Sequence, residues 1–290
     1  MPTTGDHSTG TPRPLTSDVD VFGLTHQGHK RATNADHFLI GSFHRILRVH
    51  ATSLPGDVGP RETESRGFIL LVADGVGGQA SAAEGSAHAL TEVTQHLLHA
   101  TEVCSDMAMT REAEAVEHLR QAALRAHKAL VDGSDLDSME RKATTLTMYA
   151  AFWPRAFVLH VGDSRFYRLR GDKFERLTTD QTMAEVMIEA GAMTREAADA
   201  SSLKHVLWSA VGASEIAPEI VVTDCDARDV NLLCTDGLTK HVSDDEIHQA
   251  MSEGLSAEGA CRKLVDLALE RGGTDNVTVV IGQVKRPTSD

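Results

Sequence analysis

Four aspartates stand where apolar runs begin or end. "FILLVADGVGG" (68–78) ends its run at Asp74, "AFVLHVGDSR" (156–165) at Asp163 and "VNLLCTDGL" (230–238) at Asp236, while "RGGTDNVTVV" (271–280) sets Asp275 just ahead of a β-branched run. One such aspartate is an ordinary turn former, since Gly accepts positive φ and Asp or Asn caps the backbone. Four of them at strand ends suggest the rim of a sheet, where groups distant in sequence meet on a rigid frame. Carboxylates gathered there repel one another unless a cation neutralises them. Their oxygen donors suit Mg²⁺ or Mn²⁺ rather than zinc, because the 15 histidines and 4 cysteines form no close ligand motif.

The glycines fit a site built on turns. Gly75 and Gly237 each follow an aspartate and permit a tight turn or an exposed carbonyl, and Gly77-Gly78 leads into an alanine-rich helix from about Ser81. There is no G-x-x-x-x-G-K-[ST] loop and no dinucleotide fingerprint, so an ATPase or a Rossmann oxidoreductase has little support.

Strands are expected at 19–26 and 36–43 around the basic turn "QGHKRATN" (27–34), with 44–66 as an extended hairpin or surface insertion. The short aliphatic run at 68–73, bounded by turn signals, reads as a buried strand. Helices at about 81–103 and 111–131 carry Ala, Leu and Val at helical spacing and should cover one sheet face. Closely spaced strands at 144–153, 155–162 and 165–171 favour an antiparallel meander over βαβ crossovers. Then follow an acidic helical stretch at 181–201, extended chain at 205–224, a strand at 229–236, helices at about 243–253 and 256–270, and a last strand at 276–284. Two packed sheets with helices outside each, an α+β class, accommodate this order. No internal repeat or interdomain linker interrupts it, so 19–285 reads as one domain after a flexible leader (1–18) and before a short tail (286–290).

The 290 residues suffice for one large core or two small ones, and 41% hydrophobic with 24% charged residues is a globular composition. No apolar run approaches the roughly 20 residues of a membrane span, and the leader lacks the apolar core of a signal peptide, which points to a cytoplasmic protein. The formal charge of −14 speaks against a nucleic-acid partner, since no Lys/Arg stripe offsets it. Cys104, Cys225, Cys234 and Cys261 lie scattered without a C-x-x-C pair, and Cys234 and Cys261 are expected to be buried free thiols. His160, within an apolar strand, reads as structural. His205 lies in a segment that could approach the site.

Seven blocks in order, "GHKRATNADH" (28–37), "VADGVGG" (72–78), "TTL" (144–146), "VGDSRFYRL" (161–169), "LTTDQT" (177–182), "TDGLTKHV" (235–242) and "GGTDNVTVV" (272–280), resemble the PP2C-like family of metal-dependent serine/threonine protein phosphatases, especially its bacterial branch. They cover residues 20–285. The resemblance implies a four-layer α-β-β-α sandwich with two central, mainly antiparallel sheets and a two-metal centre of Mn²⁺ or Mg²⁺ at one end. Asp74 matches the bridging carboxylate, Gly75 a residue whose carbonyl is a ligand, and Asp236 and Asp275 the other aspartates of the first metal. Asp163, with Asp236, matches the site of a weaker third metal, Asp36 falls in the metal shell, and Arg31 matches the arginine that grips the substrate phosphate.

These roles cohere chemically. Two divalent ions about 4 Å apart lower the pKa of a bridging water and stabilise the attacking and leaving oxygens of an in-line displacement, and the guanidinium fork of Arg31 suits two nonbridging phosphate oxygens. Three departures stand out. Ala35 replaces a commonly acidic or amidic residue, which predicts a weakened second metal site; Val76 stands where animal members carry a proton-donating histidine; and Ala82-Ala83 replaces a usual Gly-Glu. The reading is hydrolysis of phosphoserine and phosphothreonine in proteins, opposing a bacterial-type kinase, by a monomer whose specificity surface is 181–210. Its alternatives are a catalytically impaired phosphoprotein-binding module and a metallophosphoesterase acting on a small metabolite. Asp163 has a second reading as a hairpin cap paired with Arg165.

Overall fold

The computed structural model describes residues 14, 16–43, 47–53, 67–104, 112–133 and 142–285. Nearly all of the expected leader, most of the 44–66 insertion and the 286–290 tail lie outside the described residues. In chain order the elements are β1 (Val19–His26), β2 (Asp36–Phe43), β3 (Leu47–Thr52), β4 (Gly67–Val76), α1 (Gln79–Cys104), α2 (Glu112–Asp132), β5 (Ala143–Thr144), β6 (Leu146–Phe152), β7 (Arg155–Val161), β8 (Arg165–Arg170) and β9 (Lys173–Arg176). There follow α3 (Met183–Glu189), α4 (Arg195–Asp199), β10 (Glu219–Asp224), β11 (Asp229–Cys234), α5 (Asp236–Thr239), α6 (Asp244–Ser252), α7 (Ala257–Glu270) and β12 (Val277–Val284). One sheet has the order β1-β12-β11-β8-β9. The other runs β10-β7-β6-β4-β2-β3, with β5 also paired to β4. Their pairings are antiparallel.

Strand residues alternate faces, and that alternation builds the layers. On β2 and β4, Leu39, Ile69, Leu71 and Ala73 pack with Leu90 and Val93 of α1 and Leu119 and Leu130 of α2. Their neighbours Phe38, Ile40, Leu70 and Val72 turn the other way, against Phe166, Leu233 and Val280 of the second sheet. That sheet's opposite face sends Tyr167, Leu232 and Val279 against Leu264 and Val265 of α7. Three apolar seams thus hold four layers, the expected α-β-β-α sandwich. Among the described residues no helix is long and apolar enough to cross a membrane.

The differences from expectation are local. β4 continues through Asp74 and Gly75, because β5 pairs with its end in the register Gly75↔Thr144 and Val76↔Ala143. The expected 144–153 strand is therefore split at Thr145 into β5 and β6. The single helix expected at 181–201 is two, α3 and α4, broken around Gly191 at φ +67°; a residue with a Cβ is disfavoured there. Of the extended 205–224 only β10 is a strand, and the chain before it is held by isolated bridges Thr144↔Val211 and Thr182↔Leu207. The short β9 and α5 were not anticipated.

Candidate metal centre

Asp36 opens β2 and Asp74 lies near the end of β4, where the two are direct partners in the antiparallel register. Residues so paired project to the same face. Asp163 sits in the β7–β8 turn behind Gly162, whose φ of +103° makes that turn. Asp236 is the first residue of α5, separated from the end of β11 by Thr235 alone, and Asp275 directly precedes the Asn276 that leads into β12. Five segments from both sheets thus deliver five carboxylates to one rim. The charges of Asp36, Asp236, Asp163 and Asp275 all act on Asp74.

Burial and mutual repulsion govern their protonation. Asp74 is pushed well above the usual carboxylate range, first by burial and then by these neighbours. Burial likewise lifts Asp36 to about 7 against the hydrogen bonds it accepts, and it raises Asp163, where Asp236 and Asp180 add repulsion. Asp275 differs: burial pushes it up, but the hydrogen bonds from Arg31 and Lys240 more than offset this and leave it lowered. Arg31 Nη2 and Nε lie 2.8 and 2.6 Å from the two Asp275 oxygens. Lys240 Nζ is 2.6 Å from Asp236 Oδ2 and 2.6 Å from Asp275 Oδ2.

Two side-chain oxygens, Asp36 Oδ1 and Asp236 Oδ1, are buried without a hydrogen-bond partner. An unpaired buried carboxylate oxygen is costly, and these belong to the same cluster. Among the described residues no three carboxylate, imidazole or thiol groups are drawn into a closed cage around one point; Lys240 and Arg31 hold part of the negative charge instead. A hard divalent cation, which takes oxygen ligands and keeps several waters, fits this donor set and its two orphaned oxygens.

The scaffold beneath the carboxylates was invisible as a motif. Thr235 and Thr278 hydroxyls each donate to Asp36 Oδ2 at 2.8 Å. Because the Thr278 proton goes to Asp36, its oxygen accepts from Thr25 (2.8 Å), which in turn accepts from Asn34 Nδ2 (2.8 Å). The backbone of Asp74 is clamped by the Thr145 N–H and the Thr144 hydroxyl, which reach its carbonyl at 2.9 and 2.8 Å, while its own N–H donates to Thr145 Oγ1. Asn276 bolts down the loop bearing Arg31: its amide donates to the Gln27 and Thr33 carbonyls and its Oδ1 accepts the Ala35 N–H. Ala35 is buried, and its carbonyl accepts from Gly75 N–H and the Ser86 hydroxyl.

Gly75 and Gly237 serve close approach rather than unusual dihedrals. A Cβ at Gly75 would lie 2.2 Å from the Ala82 carbonyl oxygen, and one at Gly237 would lie 1.8 Å from that of Asn276. The second contact is what brings Asp236 beside Asp275.

All seven residues singled out from the sequence, Arg31, Asp36, Asp74, Gly75, Asp163, Asp236 and Asp275, are at this rim. The pairing of Asp163 with Arg165 is corrected: Arg165 bonds Asp180 at 2.7 Å and Asp244 at 3.4 Å, and Asp163 is not in that fork. His160 is buried, as expected, between Thr147 and the Thr179 carbonyl. His205 is near enough for Lys240, Asp236 and Asp275 to act on its ring, although burial is the largest influence and lowers its pKa. Cys234 and Cys261 are buried free thiols. Lys240 was overlooked; its place four residues after Asp236, one helical turn on, was the available signal.

A family model described as "Protein phosphatase 2C" matches residues 58–268. Over 247 residues, 82% of this chain, the sequence is 33% identical to the serine/threonine protein phosphatase PstP of Mycobacterium tuberculosis, of which it spans 45%. The chain thus spans about half the length of that curated relative. It is 27% identical over 243 residues to the protein phosphatase PhpP of Streptococcus pneumoniae, covering 79% of this chain and 95% of PhpP. The fold is similar to the crystal structure of the catalytic domain of PstP in complex with two manganese ions, with a TM-score of 0.69 and 26% identity over 92% of this chain and 99% of that one.

Proposed function

We propose that this chain, which belongs to the protein phosphatase 2C family, hydrolyses phosphoserine and phosphothreonine in proteins with the help of Mn²⁺. The observation that carries the reading is the rim of five aspartates with two buried, unpartnered oxygens beside Arg31 and Lys240. The names of the relatives, and the manganese in the PstP catalytic domain, support the same chemistry.

In this reading Asp74, Asp236 and Asp275, with the Gly75 carbonyl and Asp36, hold two divalent ions, Mn²⁺ or Mg²⁺, and Asp163 with Asp236 holds a weaker third. The ions supply Lewis acidity toward phosphoryl oxygens and a water nucleophile usable near neutral pH. Arg31, about half exposed at the mouth, presents planar donors matched to two nonbridging oxygens of a phosphate monoester. Thr235 and Thr278 orient Asp36, and Thr144 with Thr145 fixes the Asp74 backbone. No side chain is required as a covalent nucleophile, and the buried cysteines are not placed for one.

The segment 181–210 supplies the protein-facing surface. Gln181 ties it to the Asp163 turn, its N–H donating to the Gly162 carbonyl at 2.7 Å and its Oε1 accepting the Gly162 N–H at 3.0 Å. Val186, Val206 and Trp208 are exposed on it. Apolar side chains beside a phosphate site favour a phosphoprotein over a small metabolite. The finer reading is a single catalytic domain over 19–285, a cytoplasmic monomer that opposes a serine/threonine kinase in signal transduction.

The test is hydrolysis of a phosphothreonine peptide with Mn²⁺, with Mg²⁺ and after chelation. Turnover should require the divalent ion and return when Mn²⁺ is restored. Equal turnover by metal-free protein would overturn the proposal.

A further inference from the structure

Lys240 is the one lysine that reaches into the carboxylate rim among the described residues. It leaves α5 at its C-terminal end and turns back, so that Nζ lies 2.6 Å from Asp236 Oδ2 and 2.6 Å from Asp275 Oδ2, with the side chain 24% exposed. Asp236 and Asp275 are far apart in sequence and are brought together by the close approach of Gly237 to the Asn276 carbonyl. A single ammonium therefore bridges two carboxylates that the fold forces together and offsets one of their two charges. Arg31 adds a second cation, bonded to both oxygens of Asp275.

We propose that Lys240 is a built-in counter-cation of the Asp236–Asp275 pair, which holds the two carboxylates in place without a divalent ion and must be displaced for one to bind between them. Three physical points support this. An ammonium and a divalent ion cannot both lie within bonding distance of Asp236 Oδ2 and Asp275 Oδ2 without severe repulsion, so at those two oxygens occupancy is exclusive, while Asp236 Oδ1 has no partner to displace. Lysine is a compact point charge on a flexible four-carbon stem, able to swing away from Asp236 and Asp275 together. Finally, an ion that binds only the state with Lys240 displaced has its apparent affinity reduced to the fraction of molecules in that state. The affinity of the rim for Mn²⁺ is thereby set below what its carboxylates alone would give. The inference rests on the metal-binding part of the reading above and not on the identity of the substrate.

The experiment compares the full chain with Lys240→Met, which keeps most of the stem and removes the charge. Mn²⁺ is titrated calorimetrically and the melting temperature is followed in chelator and in Mn²⁺. Lys263→Met is the charge-matched control, because Lys263 pairs with Glu253 on the surface and its loss changes net charge equally. Lys240→Met should bind Mn²⁺ about tenfold or more tightly than the wild type, should melt lower in chelator and should gain more from Mn²⁺, while Lys263→Met should follow the wild type. Unchanged or weakened Mn²⁺ binding in Lys240→Met overturns the role. Absence of Mn²⁺ binding by the wild type overturns the metal centre itself, and the role of Lys240 with it. A measurement on the wild type stands independently of whether the variant folds: amine acylation followed by mass spectrometry should find Lys240 protected in chelator and more reactive in Mn²⁺. Equal labelling in the two conditions, or greater protection with Mn²⁺, also overturns the inference.

Discussion

Asp36 and Asp74 stand opposite one another as register partners across β2 and β4, both buried enough to be held above the usual carboxylate range. The sheet forces this juxtaposition, because moving either strand by one residue would turn its whole apolar set to the wrong face. A repulsive pair at the end of a well-packed core is the kind of local conflict that a function sustains and the surrounding packing offsets.

The hydroxyls on Asp36 test whether its position matters. Thr278 is fully buried and donates to Asp36 Oδ2 at 2.8 Å. Thr278→Val keeps the shape and leaves a buried carboxylate one donor short, which should destabilise the metal-free protein by about 1–3 kcal/mol. Mn²⁺ affinity should fall about tenfold, as it does when outer partners of ligands are lost. Thr278→Ser should restore both. Denaturant melts and calorimetric titration of the three proteins give the answer, and a valine variant that matched the serine variant would remove Thr278 from the site.

Metal binding and phosphate binding should separate at Asp236 and Arg31. Asp236→Asn removes a charged donor from the rim and should lose Mn²⁺ affinity together with turnover. Arg31→Ala leaves Asp275 still bonded to Lys240. It should keep Mn²⁺ binding within a few-fold while the KM for a phosphopeptide rises roughly 10- to 100-fold, the loss expected for charge-assisted hydrogen bonds. If Arg31→Ala loses Mn²⁺ as severely as Asp236→Asn, Arg31 serves Asp275 and not the substrate.

The aspartates were legible because a charged residue at the mouth of an aliphatic run is conspicuous, and four repetitions made coincidence a poor account. The layers were legible from the buried run at 68–73 and from the helical spacing of Ala, Leu and Val at 81–103 and 111–131, which imply a sheet covered by helices. Thr235 and Thr278 were not, since a threonine next to or within a strand is ordinary for its β propensity, and only the fold shows both hydroxyls on Asp36. Lys240 resembled any solvated lysine on a helix. The break of 181–201 at Gly191 and the irregular chain before β10 were missed because local composition competes there with bonds to distant partners, such as Thr144 to Val211.

His160 should leave a signature in the pH dependence of stability. Its ring is buried, with Nε2 donating to the Thr179 carbonyl at 2.9 Å and Nδ1 3.0 Å from Thr147 Oγ1. Burial lowers its pKa from 6.5 to about 4. The unfolded chain therefore takes up this proton more readily, so the contribution is complete above about pH 6.5, is lost as pH falls toward 4 and changes no further below that. The full effect is about 3 kcal/mol. His160→Gln should show a flatter decline than the wild type between these limits, measured by urea unfolding in chelator at several pH values. Parallel curves would mean that His160 protonates without disturbing the fold.

Ala35 offers the sharpest test of how the second ion is held. Its backbone is fully engaged, the N–H with Asn276 Oδ1 at 2.8 Å and the carbonyl with Gly75 N–H and the Ser86 hydroxyl at 3.2 and 2.5 Å. The residue is 8% exposed, so it belongs to the wall of the site and not to the surface of the turn. Ala35→Glu adds a further carboxylate next to Asp36, where burial, with the charges of Asp236 and Asp275, already lifts the pKa. Two opposed consequences follow from the same charge. Without a divalent ion the variant should melt at a lower temperature, because the added carboxylate must be desolvated beside others of like sign. With Mn²⁺ the charge becomes an advantage, and the concentration for half-maximal turnover should fall several-fold, up to about tenfold. Metal titration of turnover and melts in chelator measure both. Superimposable activation curves accompanied by a lower melting temperature would show that the glutamate was tolerated as strain alone, and that the alanine does not limit the second ion.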